Sequence, residues 1–229
     1  MVRITTTSLL AFGILSLPVG GHAANDPVAL FNGKDLTGWR YGKEDLAGKT
    51  ETEDRRFAVR DGVIVAEDGE GTKSINTTRA CDTNFRLTLQ FRAGPKADSG
   101  VYVRGPQLQV RDFVRRGEQK QLKGFKNDDW NDLDVVVTND QLIAKVNGKP
   151  LGASTLDLTV KNGEAVVKVD DAETPLSKVE VVMTAIAHCT VNGEFLEAMP
   201  VPNASTQGIG LQAEKGKFEF RNIRLQPLE

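Results

Sequence analysis

The chain is poor in the residues that most metal, thiol and imidazole chemistry uses: its 229 residues include two cysteines and two histidines. Cys81 and Cys189 form no CxxC pair and no cysteine/histidine cluster, so the sequence offers no zinc motif. In an exported protein they could form one disulfide or stay as thiols, and sequence alone leaves both open. Charge of one sign is also lacking, with 29 Lys and Arg against 31 Asp and Glu. That balance argues against a nucleic-acid partner, whose binding relies on a basic face or stripe that is not apparent here. After the N-terminus no apolar run approaches the roughly 20 residues of a membrane span.

What the first residues do contain is an early positive charge at Arg3, an apolar run from Leu9 to Val19, and small residues at Gly21-His22-Ala23. This pattern reads as a signal peptide over residues 1–23, which predicts export to the periplasm or beyond. Residues 24–229 then suit one domain, with His188 the histidine left in it. The acidic stretch from Pro150 to Asn203 has no low-complexity linker before it and reads as an elaboration of that domain.

Period-two apolar runs recur from Phe57 to Leu225, and few windows show a helical repeat. Asp61-Gly62, Asn147-Gly148, Asn162-Gly163 and Asn192-Gly193 fall between runs, where such dipeptides signal tight hairpins. The expected fold class is all-β, built from antiparallel meanders. Within Phe85–Arg92, Phe85, Leu87, Leu89 and Phe91 form one face, while Arg86, Thr88, Gln90 and Arg92 form the other.

The stretch from Asp98 to Asp112, DSGVYVRGPQLQVRD, carries the most chemistry. Val101, Val103, Leu108 and Val110 point one way; Tyr102, Arg104, Gln107, Gln109 and Arg111 point the other. A turn at Gly105-Pro106 would set two short strands side by side, so that amides, a phenol and guanidinium groups share one surface. Such a surface suits a hydroxyl-rich ligand, because glutamine both donates and accepts.

Four ordered motifs extend the picture: ALFNGKDLTGW from Ala29, DSGVYVRG…QLQVRD from Asp98, DDWNDLDVVV…AKVNG from Asp128, and GIGLQAEKGKFEFRNIRL from Gly208. Together they resemble the bacterial 3-keto-disaccharide hydrolase family, also described as 3-keto-glucoside lyase and 3-keto-2-hydroxyglucal hydratase domains. The resemblance implies a concanavalin-like jelly-roll sandwich of two curved antiparallel sheets acting on a carbohydrate partner, a 3-keto-glycoside. In that chemistry the ketone acidifies the neighbouring C2 proton, a base removes it, the glycosidic oxygen leaves, and water adds to the enone. A non-catalytic glycan-binding module is the alternative, since fold alone assigns no activity.

The resemblance makes Asp112 the candidate base or metal ligand and Arg104 the candidate for stabilising the enolate. A divalent cation polarising the ketone would be the alternative to such a donor. Tyr102, Gln107, Gln109, Trp130, Glu214 and His188 are the candidate substrate-binding residues. Many relatives carry glutamate where this chain has Gln107, and Glu214 could return a carboxylate from another strand. Structural roles compete for several of these: a strand-end cap or ion pair for Asp112, a cross-sheet ion pair for Arg104, a strand or loop position for His188, and a buried turn anchor for Trp130. Asp128, Asp129 and Asp132 offer hard oxygens but do not match the twelve-residue calcium loop.

Overall fold

A computed structural model describes residues 26–146, 149–150, 158–169, 172–203 and 205–228. Residues 1–23, read as a signal peptide, and the Asn147-Gly148 turn signal lie outside them.

Alternation does what the sequence predicts. In Phe85–Ala93 every second residue, from Phe85 to Ala93, is buried, and the residues between them are not. Strands of this kind pair antiparallel into two main sheets. The nine-stranded sheet runs in the order Glu194–Val201, Val179–Val191, Asn131–Val146, Phe85–Ala93, Phe218–Pro227, Val63–Ala66 and Phe57–Arg60, with Val28–Ala29 and Lys149–Pro150 attached at its margins. The six-stranded sheet runs Glu44–Asp45, Trp39–Tyr41, Lys73–Thr77, Ile209–Ala213, Asp98–Val103 and Gln107–Arg111. The architecture is the all-β, concanavalin-like sandwich.

Between the sheets lies one core. Trp39, Phe57, Phe91 and Phe220 are fully buried, each contributing on the order of 1.5–3 kcal/mol or more by leaving water. Phe91 and Phe218 stack with centroids 5.5 Å apart. Trp39 donates its indole N–H to the Leu30 carbonyl at 2.9 Å, so its one polar atom is satisfied inside. Asp61-Gly62, Asn162-Gly163 and Asn192-Gly193 all take positive φ at both residues, the geometry of two-residue hairpins.

Two local features break the simple strand pattern. The runs Leu133–Val137 and Gln141–Val146 are one strand, Asn131–Val146, with an irregularity between Thr138 and Gln141. The backbone N–H groups of Asn139 and Asp140 there donate to the Asn84 and Asn203 side chains, which stand in for lost ladder bonds. Arg56, a charged residue, is only 6% exposed. Its guanidinium donates to the carbonyls of Glu67, Glu70, Gly71 and Ala213.

The segment after Pro150 supplies the outer strands Val179–Val191 and Glu194–Val201 and a separate three-stranded sheet, Leu158–Lys161, Glu164–Val169 and Ala172–Pro175. Cys81 and Cys189 are both buried free thiols, not a disulfide. Burial pushes their pKa values up to about 11 and about 12. Because the thiolate is the nucleophile, neither thiol should react with iodoacetamide at pH 8 in the native protein, and both should react after urea unfolding. Rapid native labelling of either would contradict this burial.

Candidate functional site

The polar face read from the sequence is the outer face of the six-stranded sheet. Val101, Val103, Leu108 and Val110 point into the core. Antiparallel register sets the opposite side chains in rows: Arg40, Asn76, Gly210, Tyr102 and Gln107 in one, and Ser74, Gln212, Gly100 and Gln109 in the next. Gln107 donates to the Gln212 side-chain oxygen at 2.7 Å, and the Gln212 amide donates to the Tyr102 hydroxyl oxygen at 3.0 Å. These three residues form one directed chain.

Gly100 and Gly210 are the floor beneath it. A Cβ at Gly100 would lie 2.3 Å from the Gln107 amide nitrogen, and one at Gly210 would lie 2.4 Å from the Asn76 side-chain oxygen. Gly100→Ala should therefore push Gln107 away from Gln212 and weaken ligand binding about tenfold with little change in melting temperature, as titration of ligand against the variant would measure. Unchanged affinity would remove the Gln107 amide from the site.

Beside the amides lies a ring of charge. Arg111 donates to Asp98 at 2.7 Å, to the Gln109 side-chain oxygen at 3.1 Å, and to Glu118 at 3.0 Å. Arg116 closes the ring through Glu118 at 3.0 Å and Asp98 at 3.1 Å. Burial works to raise the Glu118 pKa, but the hydrogen bonds from Arg111 and Arg116 outweigh it and hold the carboxyl below its ordinary value. For Arg111, burial lowers the pKa, and its bonds to Glu118 and Asp98 overcome that, raising it. The site thus carries a firmly ionised carboxylate against a firmly ionised guanidinium, with Gln109 linking both to the amide rows.

Arg104 is not on this face. The strand ends at Val103, Arg104 takes φ +53° in the turn, and its side chain is 1% exposed. It donates to the carbonyls of Cys81, Thr83, Pro202 and Asn203 and to the Asn139 side-chain oxygen, over the Phe85 ring. Among the described residues no carboxylate takes part, so the competing cross-sheet ion pair is not formed there. Burial lowers its pKa.

Asp112 is displaced by parity. Gln107, Gln109 and Arg111 point outward, and Asp112, one residue later, is fully buried. One carboxylate oxygen accepts from the Lys96 backbone N–H and from Arg115; the other has no hydrogen-bond partner. The residue stands at the start of the short helix Phe113–Arg116 without a side-chain capping bond, and it pairs with Arg115.

Trp130, directly before the Asn131–Val146 strand, and His188, on Val179–Val191, lie with the other sheet. The guanidinium groups of Arg221 at 3.9 Å and Arg92 at 4.9 Å lie over the ring of Trp130, which is half-buried. His188 is exposed on Val179–Val191, between Val136 and Ala198. Glu214 follows the Ile209–Ala213 strand, half-buried, next to the bridge between Asp98 and Lys215. Tyr102, Gln107 and Gln109 are brought together as expected. Asp98, Glu118, Gln212 and Asn76 carry no such mark in the motifs, although alternation from Tyr102 reaches Asp98 and alternation within GIGLQA sets Gln212 on the same face. Glu118 lies in a loop, where no periodicity marks it.

Among the described residues no three His, Cys, Asp or Glu side chains cluster as a metal site would require. On the polar face, Asp98 and Glu118 are each engaged by arginine.

Residues 26–226 match the family model of the 3-keto-alpha-glucoside-1,2-lyase-like domain. The chain belongs to this family. Two crystal structures of candidate glycosyl hydrolases from Parabacteroides distasonis ATCC 8503 are similar to it. One shares 17% identity, covering 89% of this chain and 94% of that one with a TM-score of 0.50. The other shares 19% identity over 89% of this chain and all of that one, with a TM-score of 0.49. At such identity the likeness concerns the fold. No curated protein sequence matches the chain.

Proposed function

We propose that this lyase-like domain is an exported enzyme that cleaves 3-keto-glycosides on the outer face of the six-stranded sheet. The observation that carries this reading is the junction, at Gln109, of the Gln107–Gln212–Tyr102 chain with the Arg111–Glu118–Asp98 ring. Amides that donate and accept suit sugar hydroxyls. A fixed guanidinium suits the charge that develops on a ketone oxygen as the C2 proton leaves.

In this mechanism Glu118 takes the C2 proton, and the electron pair of that C–H bond moves toward the C3 carbonyl, whose oxygen faces Arg111. The C1–O bond then breaks. Tyr102, whose oxygen accepts from Gln212, turns its hydroxyl hydrogen to the departing glycosidic oxygen as the donor. Water adds across the resulting enone, its hydroxyl to C1 and a proton to C2. The two carboxylates of ordinary glycosidases have no part in this route.

Gln107 favours a second reading, a non-catalytic glycan-binding module, because an amide stands where the family resemblance implies a glutamate. Purified protein incubated with a 3-keto-glucoside, with and without chelator, separates the two. Release of 3-keto-glucose or the 2-hydroxyglucal is the expected result. Absence of turnover with retained sugar binding would sink the enzyme and leave the module.

A further inference from the structure

The nine-stranded sheet has its own polar outer face, remote from the rows just described. A hollow of about 510 Å³ opens there between the Phe85–Ala93, Asn131–Val146 and Phe218–Pro227 strands. Its centre is a short side chain, Thr88, flanked across the sheet by Arg224 on one side and Asp134 on the other. The walls are paired side chains: Arg86 grips Asp134 through two nitrogens, and Gln90 donates to Asp132 at 2.8 Å.

The third wall comes from an irregularity. The ladder shifts between Arg221 and Arg224, and Asn222 takes φ +54° there. Bulges of this kind re-aim side chains and are enriched beside binding sites. Here Asn222 and Arg221 both donate to the Gln90 side-chain oxygen, which locks one rim. Arg224 stands exposed opposite, at the other side of Thr88. Continuing across the sheet, the row Arg224, Thr88, Asp134 leads to Thr190 and then to Phe195, an aromatic ring left 57% exposed. With strands about 4.8 Å apart, that row spans roughly 19 Å.

We infer that this face is a second carbohydrate-binding groove, which takes an extended neutral oligosaccharide running across the strands. The lining holds two arginines, Arg86 and Arg224, and two carboxylates, Asp132 and Asp134. That balance of charge disfavours polyanions and polycations alike. Planar groups held in fixed pairs present donors and acceptors together, which is what adjacent sugar hydroxyls require. A hollow of this size holds one or two sugar rings, and Phe195 offers an apolar platform about three strands away for a further ring. The groove needs no catalytic group and stands whether or not the other face turns over a 3-keto-glycoside.

Maltotetraose, cellotetraose and laminaritetraose are the probes, titrated one at a time into isotope-labelled full-length protein and followed by amide chemical shifts. At least one should perturb the amides around Thr88, Asp134, Asn222 and Thr190 with a dissociation constant in the millimolar range or tighter. Thr88→Trp, which fills the hollow from a solvent-facing position, should weaken that binding at least tenfold. Arg224→Gln should weaken it several-fold, while Gln107→Ala on the opposite face leaves it unchanged. Shifts confined to the six-stranded sheet, no shifts with any of the three sugars, or equal affinity in both groove variants at native melting temperature would overturn the groove.

Discussion

Arg104→Met is expected to lower the unfolding free energy by about 3–5 kcal/mol, among the largest effects a single side chain can have. The reason is what the guanidinium leaves behind. Carbonyls of Cys81, Thr83, Pro202 and Asn203 and the Asn139 side chain all point at it inside the protein. Methionine fills much of the volume but donates nothing, and each buried acceptor left unpaired costs about 1–3 kcal/mol before water or relaxation recovers part of it. Arg104→Lys should recover only a fraction, because an ammonium cannot spread its donors over the planar fork that these carbonyls match. Urea unfolding followed by tryptophan fluorescence measures both. A loss below about 1 kcal/mol for methionine would mean that solvent reaches these carbonyls.

Glu118→Gln should lower kcat by about 10²–10⁴ while changing KM little. Glutamine retains an acceptor for Arg111 but cannot take a proton, so binding geometry survives and proton removal does not. The pH profile adds a readout that a structural role would not move. A base works only when deprotonated, and the two arginines hold Glu118 below the ordinary glutamate value. The acid limb of kcat should therefore fall below the usual range of about 4.3, with activity lost as pH descends through the folded pKa. The ion pairs' contribution to stability follows the same sign, present above the unfolded pKa and lost on acidification. An unchanged kcat in Glu118→Gln, or an acid limb near neutrality, would assign the proton to another group.

Alternation made the polar face legible: Tyr102, Gln107 and Gln109 share the surface that period two assigns them. It misled where the strand stopped. Arg104 would be outward only if the extended backbone continued, and its positive φ turns the side chain inside instead. Asp112 fails for the opposite reason, since strict parity from Arg111 already turns it inward. Trp130 and His188 show a different limit. Period two tells which face of its own strand a residue occupies, but not which of two sheets that strand joins: His188 lies on the nine-stranded sheet, and Trp130 directly precedes one of its strands. The charge ring was hidden because Glu118 reaches Arg111 from a loop, and loop residues carry no period.

The strand order has a consequence for how the chain is made. Phe218–Pro227 lies inside the nine-stranded sheet, between Phe85–Ala93 and Val63–Ala66, although it is synthesised after both. Until it arrives, each of those strands has an unpaired edge, and the Ala213 carbonyl that Arg56 will bind has only just emerged. A nascent chain therefore carries open, apolar strand edges through most of its synthesis. Under the proposed export, that delay would leave the sheet unclosed until the last strands are made, a state compatible with threading through a translocation pore.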